Sequence, residues 1–359
     1  MDMRMSWHHW LPRVLAERAI RLVWLLPLAM VGLFTLIRLA PVDPVQAYVG
    51  ARVALVGPEQ RDAIAQSWGL NDPVPEQFLR WVTHFIQGDL GDSMLFNAPV
   101  VDVIMARWPA SISLIGAAFL FSLVIGTSLG LIAAASRGHW PDRAIRAFAV
   151  TLAVSPGFWL ALILIAVFSV QLGWLPACCS ASPGLTTAEV TWGDRLRHLI
   201  LPAITVSVVG IAPLILHARA RARAFLEGPA ARHLKAHGAR NLSLLMGPGL
   251  RHALGPALTI HLAGAGELIG GSVLAETIFS WPGLGEATVR AAKGADAPLL
   301  MGVALATLAV VFLGNMLADI CAHLLDPRLR DQAGSRRQKR KSVARLQSSD
   351  FETAREGKS

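Results

Sequence analysis

Cysteine is scarce, with Cys178, Cys179 and Cys321 the only three in a chain of 359 residues. Their number and spacing exclude a disulfide framework and a four-ligand zinc site. Charge is scarce as well: 16% of residues are charged and 53% hydrophobic, whereas soluble domains carry roughly a quarter charged residues. Lipid is therefore the expected solvent. Also missing is any compact basic region in which Lys and Arg alternate with stacking aromatics, so the formal charge of +9 does not point to nucleic acid. The Lys and Arg residues fall between apolar runs and near the C-terminus, where they mark topology.

A helix that crosses a hydrocarbon core of about 30 Å needs roughly 20 mostly apolar residues. Six intervals qualify, giving expected spans at about 21–40, 109–135, 146–172, 198–217, 256–275 and 298–325. The first follows Arg4, Arg13, Arg18 and Arg21 and resembles a signal peptide without a small-residue cleavage site, so it reads as a retained helix. Continuous apolar runs favour helices over a closed β-barrel, which would show short alternating segments. The fold class expected is an all-α integral membrane protein of six transmembrane helices.

Loop charges set its orientation. Residues 219–251 hold seven Lys or Arg against the single acid Glu227, whereas residues 41–107 hold four against eight acids. By the positive-inside rule the loop 218–255 is cytoplasmic and the loops 41–108 and 276–297 are external. Six spans then leave both termini inside, with residues 1–20 a cytoplasmic N-terminus, 21–326 the transmembrane domain and 327–359 a basic, disordered tail suited to anionic headgroups.

Few motifs point to chemistry. Gly126-Thr127-Ser128-Leu129-Gly130 matches a nucleophile elbow in spacing, but it lies inside an apolar span where a strand-to-helix turn cannot form. Gly126 with Gly130, and Gly266 with Gly270, read instead as surfaces for close helix packing. Gly357-Lys358-Ser359 imitates the end of a phosphate loop, yet Glu352 stands where its leading Gly belongs, so no nucleotide site is expected on this chain. His233 and His237, at i and i+4, lack a third metal ligand; Cys178 and Cys179 are weak candidates for a soft metal. No nucleophile, base and acid converge at one depth, which argues against a membrane-embedded hydrolase. Glu267 is a carboxylate within the fifth span, costing about 2.5 to 3.5 kcal/mol on insertion scales. It marks either a transport pathway or a packing contact. An ion-coupled carrier or channel titrating Glu267 is the alternative function.

Between about Arg21 and Arg330 the sequence resembles the permease subunits of bacterial ATP-binding-cassette importers for dipeptides, oligopeptides and nickel. The resemblance is carried by Arg38-Leu39-Ala40-Pro41-Val42-Asp43-Pro44, Gly69-Leu70-Asn71-Asp72-Pro73, Gly88-Asp89-Leu90-Gly91-Asp92-Ser93 and Arg107-Trp108-Pro109-Ala110-Ser111. Further along come Gly173-Trp174-Leu175-Pro176-Ala177, His198-Leu199-Ile200-Leu201-Pro202-Ala203, the long block Ala275–Gly285, and Leu325-Asp326-Pro327-Arg328-Leu329-Arg330.

The resemblance implies the type I importer permease architecture in the cell inner membrane, with four kinds of neighbour: a second permease, two ATPases that carry ATP and Mg, an external substrate-binding protein, and lipid. It also implies that Lys235, Ala236, His237, Gly238, Arg251 and Pro256 belong to the ATPase coupling loop. Phe279, Trp281, Pro282 and Gly283 would form the external loop toward the binding protein. The sequence departs from the family at Val42, Gly228-Pro229 and Gly247-Pro248-Gly249, and Glu267 stands where the family commonly has Gly. Peptide and nickel or metal-chelate cargo both remain open.

Overall fold

The computed structural model describes residues 7–39, 45, 57–67, 71–181 and 190–325. Pro41–Pro44, Gly69-Leu70 and the tail from Asp326 lie outside the described residues. In chain order the elements are α1 (Trp7–Leu39), α2 (Pro58–Ser67), α3 (Val74–Ile86), β1 (Asp92–Ser93), β2 (Ala98–Pro99), α4 (Val100–Ala135), α5 (Trp140–Val154) and α6 (Gly157–Leu164). There follow α7 (Trp192–Glu227), α8 (Pro229–Ala236), α9 (Asn241–Leu244), α10 (Leu250–Ala263), α11 (Ala265–Ile278), α12 (Leu284–Lys293) and α13 (Ala297–Leu325). Wide π turns at Ile165–Gln171 and Leu245–Gly249 extend α6 and join α9 to α10. The strands form a minimal antiparallel hairpin that pairs Asp92 with Pro99 and Ser93 with Ala98.

Among the described residues four helices are long and apolar enough to cross a membrane unaided: α1 from Arg18, α4, α7, and α13 as far as Cys321. Two further segments are bent pairs, α5–α6 by 108° and α10–α11 by 58°. The straight third span expected over 146–172 is thus a broken one. Its break is local chemistry: Pro156 bars its predecessor from helical geometry, and Ser155 is extended at φ −81°, ψ 128°. In the fifth segment the helix runs from Leu245 rather than 256 and breaks at Gly264 (φ −81°, ψ 6°). The second span likewise begins earlier than 109, at Val100 after Pro99, with Pro109 inside the helix. Asp102 and Arg107 ride on its first turns, so a charge-free interval underestimates the helix it belongs to.

Helix α4 packs on α7 through small residues. A Cβ on Gly126 would lie 2.6 Å from Leu214 Cβ, and one on Gly130 would lie 2.7 Å from Ala218 Cβ and 2.8 Å from the Ile215 carbonyl. Only glycine lets the backbones approach this closely. Contacts climb together along both chains, so α4 and α7 run parallel. The chain between them must therefore return across the bundle, and it does: Ile145, Ala149 and Leu152 pack against Ile211 and Ile215, while Ala161, Leu164 and Phe168 pack beside Leu201 and Phe279. The bent pair α5–α6 makes a full crossing.

The same reasoning applies to α10–α11, which runs from Ala253 beside Leu131 and Ala222 to Ala275 beside Leu114 and Leu201. With each bent pair counted as one span, the described residues supply six crossings. Gly266 and Gly270 do not repeat the tight packing expected of them: a Cβ on Gly266 would meet only Val311 at 3.6 Å, and one on Gly270 would meet nothing within 4 Å. Helix α1 docks on α13, where Arg18 Nε donates to Asp319 Oδ2 at 2.7 Å.

Candidate functional site

At one end of the bundle α7 outruns any bilayer. Its 36 residues extend about 54 Å, against a hydrocarbon core of about 30 Å. The protruding part carries Arg219, Arg221 and Arg223. Arg219 grips the buried Asp142 at the start of α5 with a two-pronged pair, Nε to Oδ1 at 2.6 Å and Nη2 to Oδ2 at 2.8 Å. Arg137, in the α4–α5 connection, pairs with Glu227 at the last residue of α7. The extension is thus fixed to the α4–α5 corner.

Gly228 is extended (φ −75°, ψ 164°), as the residue before a proline must be, and Pro229 opens α8. Within α8 only Ala231 is buried, and Arg232, His233, Leu234, Lys235 and Ala236 are exposed, as is His237 just beyond. Gly238 turns the chain at φ 86°, open to glycine and strained for L side chains. The structure thus gathers Lys235, Ala236, His237 and Gly238 on one projecting helix and its turn. Arg251 and Pro256 lie elsewhere, on α10 beyond the π turn. Gly247-Pro248-Gly249 does not interrupt the helix there but widens it: Pro248 supplies no N–H for a regular turn. The His233 and His237 rings lie tilted against each other with centroids 4.5 Å apart. Among the described residues no three His, Cys, Asp or Glu side chains form a metal site.

Near the middle of the bundle, the break at Gly264 moves Glu267 from mid-helix into the first turn of α11. There its exposed side chain lines a cavity of about 290 Å³ together with Val209, Gly210, Pro213, Ile260 and His261. His261 itself is buried and committed: its Nε2 lies 2.7 Å from Ser122 Oγ and 3.3 Å from the Phe119 carbonyl, and its ring stacks on Phe119. A Cβ on Gly210 would fall 2.5 Å from the His261 ring, so this polar contact also depends on glycine.

The opposite end is organised by two buried carboxylates that the sequence reading left without a role. Glu276 accepts from Ser111 Oγ (2.8 Å) through Oε1, and from the N–H groups of Gly285 (2.6 Å) and Glu286 (3.1 Å) through Oε2. It caps the start of α12 from another helix, satisfying N–H groups that have no partner within α12. Asp296 accepts from Ser93 Oγ (2.6 Å), Leu95 N–H (3.0 Å) and Leu299 N–H (3.1 Å), tying the hairpin to the start of α13.

Phe279 is 1% exposed and Trp281 4%, with the indole N–H donated to the Ala110 carbonyl. Gly283 is buried too, and a Cβ there would sit 2.3 Å from Glu276 Oε2. Of the four residues expected to face a binding protein, only Pro282 is exposed. The others read as surface because they connect two spans; in fact they pack α12 down onto α4. Nearby, Cys178 and Cys179 are joined by a disulfide, and the Cys179 N–H donates to the Phe279 carbonyl at 2.7 Å. Metal binding needs thiolates, so this pair is not a metal site in this form.

Comparison with known proteins places this geometry. The family described as binding-protein-dependent transport system inner membrane component matches residues 126–331. The oligopeptide transport system permease protein AppB of Bacillus subtilis is 34% identical over 82% of this chain and 92% of its own. The di/tripeptide transport system permease protein DppB of Pseudomonas aeruginosa is 35% identical over 83% and 93%, and the glutathione transport system permease protein GsiC of Pectobacterium atrosepticum 32% over 88% and 97%. Among solved structures, an inward facing MetNI methionine ABC transporter shares the fold, with a TM-score of 0.50 at 16% identity over 62% of this chain and 96% of that one. A binding-protein-dependent system leaves the ion-coupled carrier reading without support. The chain belongs to the family of binding-protein-dependent transport system inner membrane components, as a multi-pass permease subunit of an ABC importer.

Proposed function

We propose that this permease carries peptides inward and forms half of a pathway shared with a second permease. The observation that supports peptide over nickel cargo is the near full-length similarity to relatives named for oligopeptides, di- and tripeptides, and glutathione. ATP and Mg are held by two ATPases on separate chains, and an external binding protein delivers the cargo. Both termini face the cytoplasm, because the positive-inside rule puts the Arg-rich extension of α7 there.

In this arrangement α8, with Lys235, Ala236, His237 and Gly238, is the element the ATPase pushes. Its displacement passes into α7, which Asp142 and Arg219 bind to the α4–α5 corner. Rigid helices coupled in this way convert closure of two ATPases into movement of the transmembrane bundle. The external end presents Pro282 and the surface of α12 to the binding protein.

Uptake of labelled dipeptides and of labelled nickel, with and without a chelator, is to be compared in cells with and without this chain at equal expression of its partners. Loss of energised dipeptide uptake alone is the expected result. Loss of nickel uptake alone would overturn the cargo assignment, and uptake that persists after ATP depletion would overturn the ATP-driven mechanism.

A further inference from the structure

The cavity beside Gly264 combines three features. First, Glu267 is an exposed carboxylate close to the midpoint of the helical run Leu250–Ile278, where an ionised group is expensive unless it faces water or a counter-charge. Among the described residues no side chain pairs with it.

Second, the other polar groups of the cavity wall do not offer a positive partner. The His261 Nε2 is occupied by Ser122 Oγ and the Phe119 carbonyl. Pro213, on the same wall, has no N–H to offer. Third, the rest of the wall is apolar or glycine: Val209, Gly210, Leu214, Ile260 and Leu268. A carboxylate set in an apolar wall suits a cation with an aliphatic stem.

We propose that Glu267 is a cargo-contact residue that selects, during translocation, peptides bearing a Lys or Arg side chain. The stem lies on the apolar wall and the cationic head meets Glu267. This rests on the peptide reading above and adds a charge preference inside the membrane to whatever the external binding protein imposes. The contact is transient, because a site in a pathway must release what it binds.

The test uses the whole transporter in cells, with labelled Ala-Lys, Ala-Ala and Ala-Glu as cargo. Comparing variants of the permease behind one unchanged binding protein cancels the selectivity of that protein. Glu267→Gln is expected to lower the Ala-Lys to Ala-Glu uptake ratio roughly tenfold with little change for Ala-Ala, and Glu267→Lys to lower it further. An unchanged ratio would overturn the proposal. So would an equal fall for all three peptides, which would assign Glu267 to packing or to an ion pair with the second permease. A wild-type transporter that carries none of the three would overturn the peptide reading itself, and this proposal with it.

Discussion

Replacing Glu276 by Ala removes the acceptor for three donors at once: the N–H groups of Gly285 and Glu286 and the Ser111 hydroxyl. Glu276 is fully buried, so water cannot easily replace it. A buried donor left without a partner costs about 1 to 3 kcal/mol, and the total for this variant is therefore on the order of 4 kcal/mol. Glu276→Gln keeps an oxygen for the two backbone donors but turns an amide N–H₂ toward the Ser111 hydroxyl, a milder loss of about 1 kcal/mol. Gly283→Ala attacks the same point from outside, because its methyl would lie 2.3 Å from Glu276 Oε2 and 2.5 Å from Ser111 Oγ. Each variant would be purified in detergent and unfolded with increasing SDS in mixed micelles. The expected order of stability is wild type, Glu276→Gln, then Glu276→Ala close to Gly283→Ala, with the double variant less damaged than the sum of the two. A wild-type unfolding midpoint for Glu276→Ala, or strict additivity with Gly283→Ala, would refute the carboxylate as the organiser of this end.

Two further outcomes follow from the packing and the turn. Gly126→Leu should separate α4 from α7, costing at least about 1 to 3 kcal/mol in the same SDS titration, whereas Gly270→Ala, with open space around it, should unfold like wild type. Gly238→Pro cannot adopt φ 86°, since proline is held near −65°; uptake should be lost while membrane insertion, followed by fractionation and western blot, is retained.

The crossings were legible because hydrocarbon demands long apolar runs, and Gly126 with Gly130 because their spacing places two small residues on one helix face. The 108° bend was carried by a local signal, Ser155-Pro156, which a count of charges passes over. Glu276 was not legible. Its partner Ser111 is 165 residues distant, and no local pattern records a cap supplied by another helix. The same distance hid the burial of Phe279, Trp281 and Gly283, which depends on α4 arriving beneath them. Glu267 was visible as an anomalous charge, but its place at a helix start depends on a break that a single Gly264 among several nearby glycines did not announce.

Polar clamps and small-residue contacts divide the molecule by stiffness. At one end Asp142 and Arg219 join α5 to α7, and at the other Glu276 and Asp296 join α4, the hairpin, α12 and α13. Tearing these clamps would leave buried polar groups without partners at about 1 to 3 kcal/mol each, so movements that leave both ends intact are favoured over movements that tear them. Between the ends lie the two backbone breaks, Ser155-Pro156 and Gly264, where the regular helix is already interrupted. In the proposed arrangement, a push delivered through α8 and the clamped α7 would be absorbed at mid-bundle, where Glu267 and its cavity lie. The proposed cargo contact and the bend at Gly264 occupy the same stretch of chain, so occupation of the cavity and bending at Gly264 are expected to influence each other.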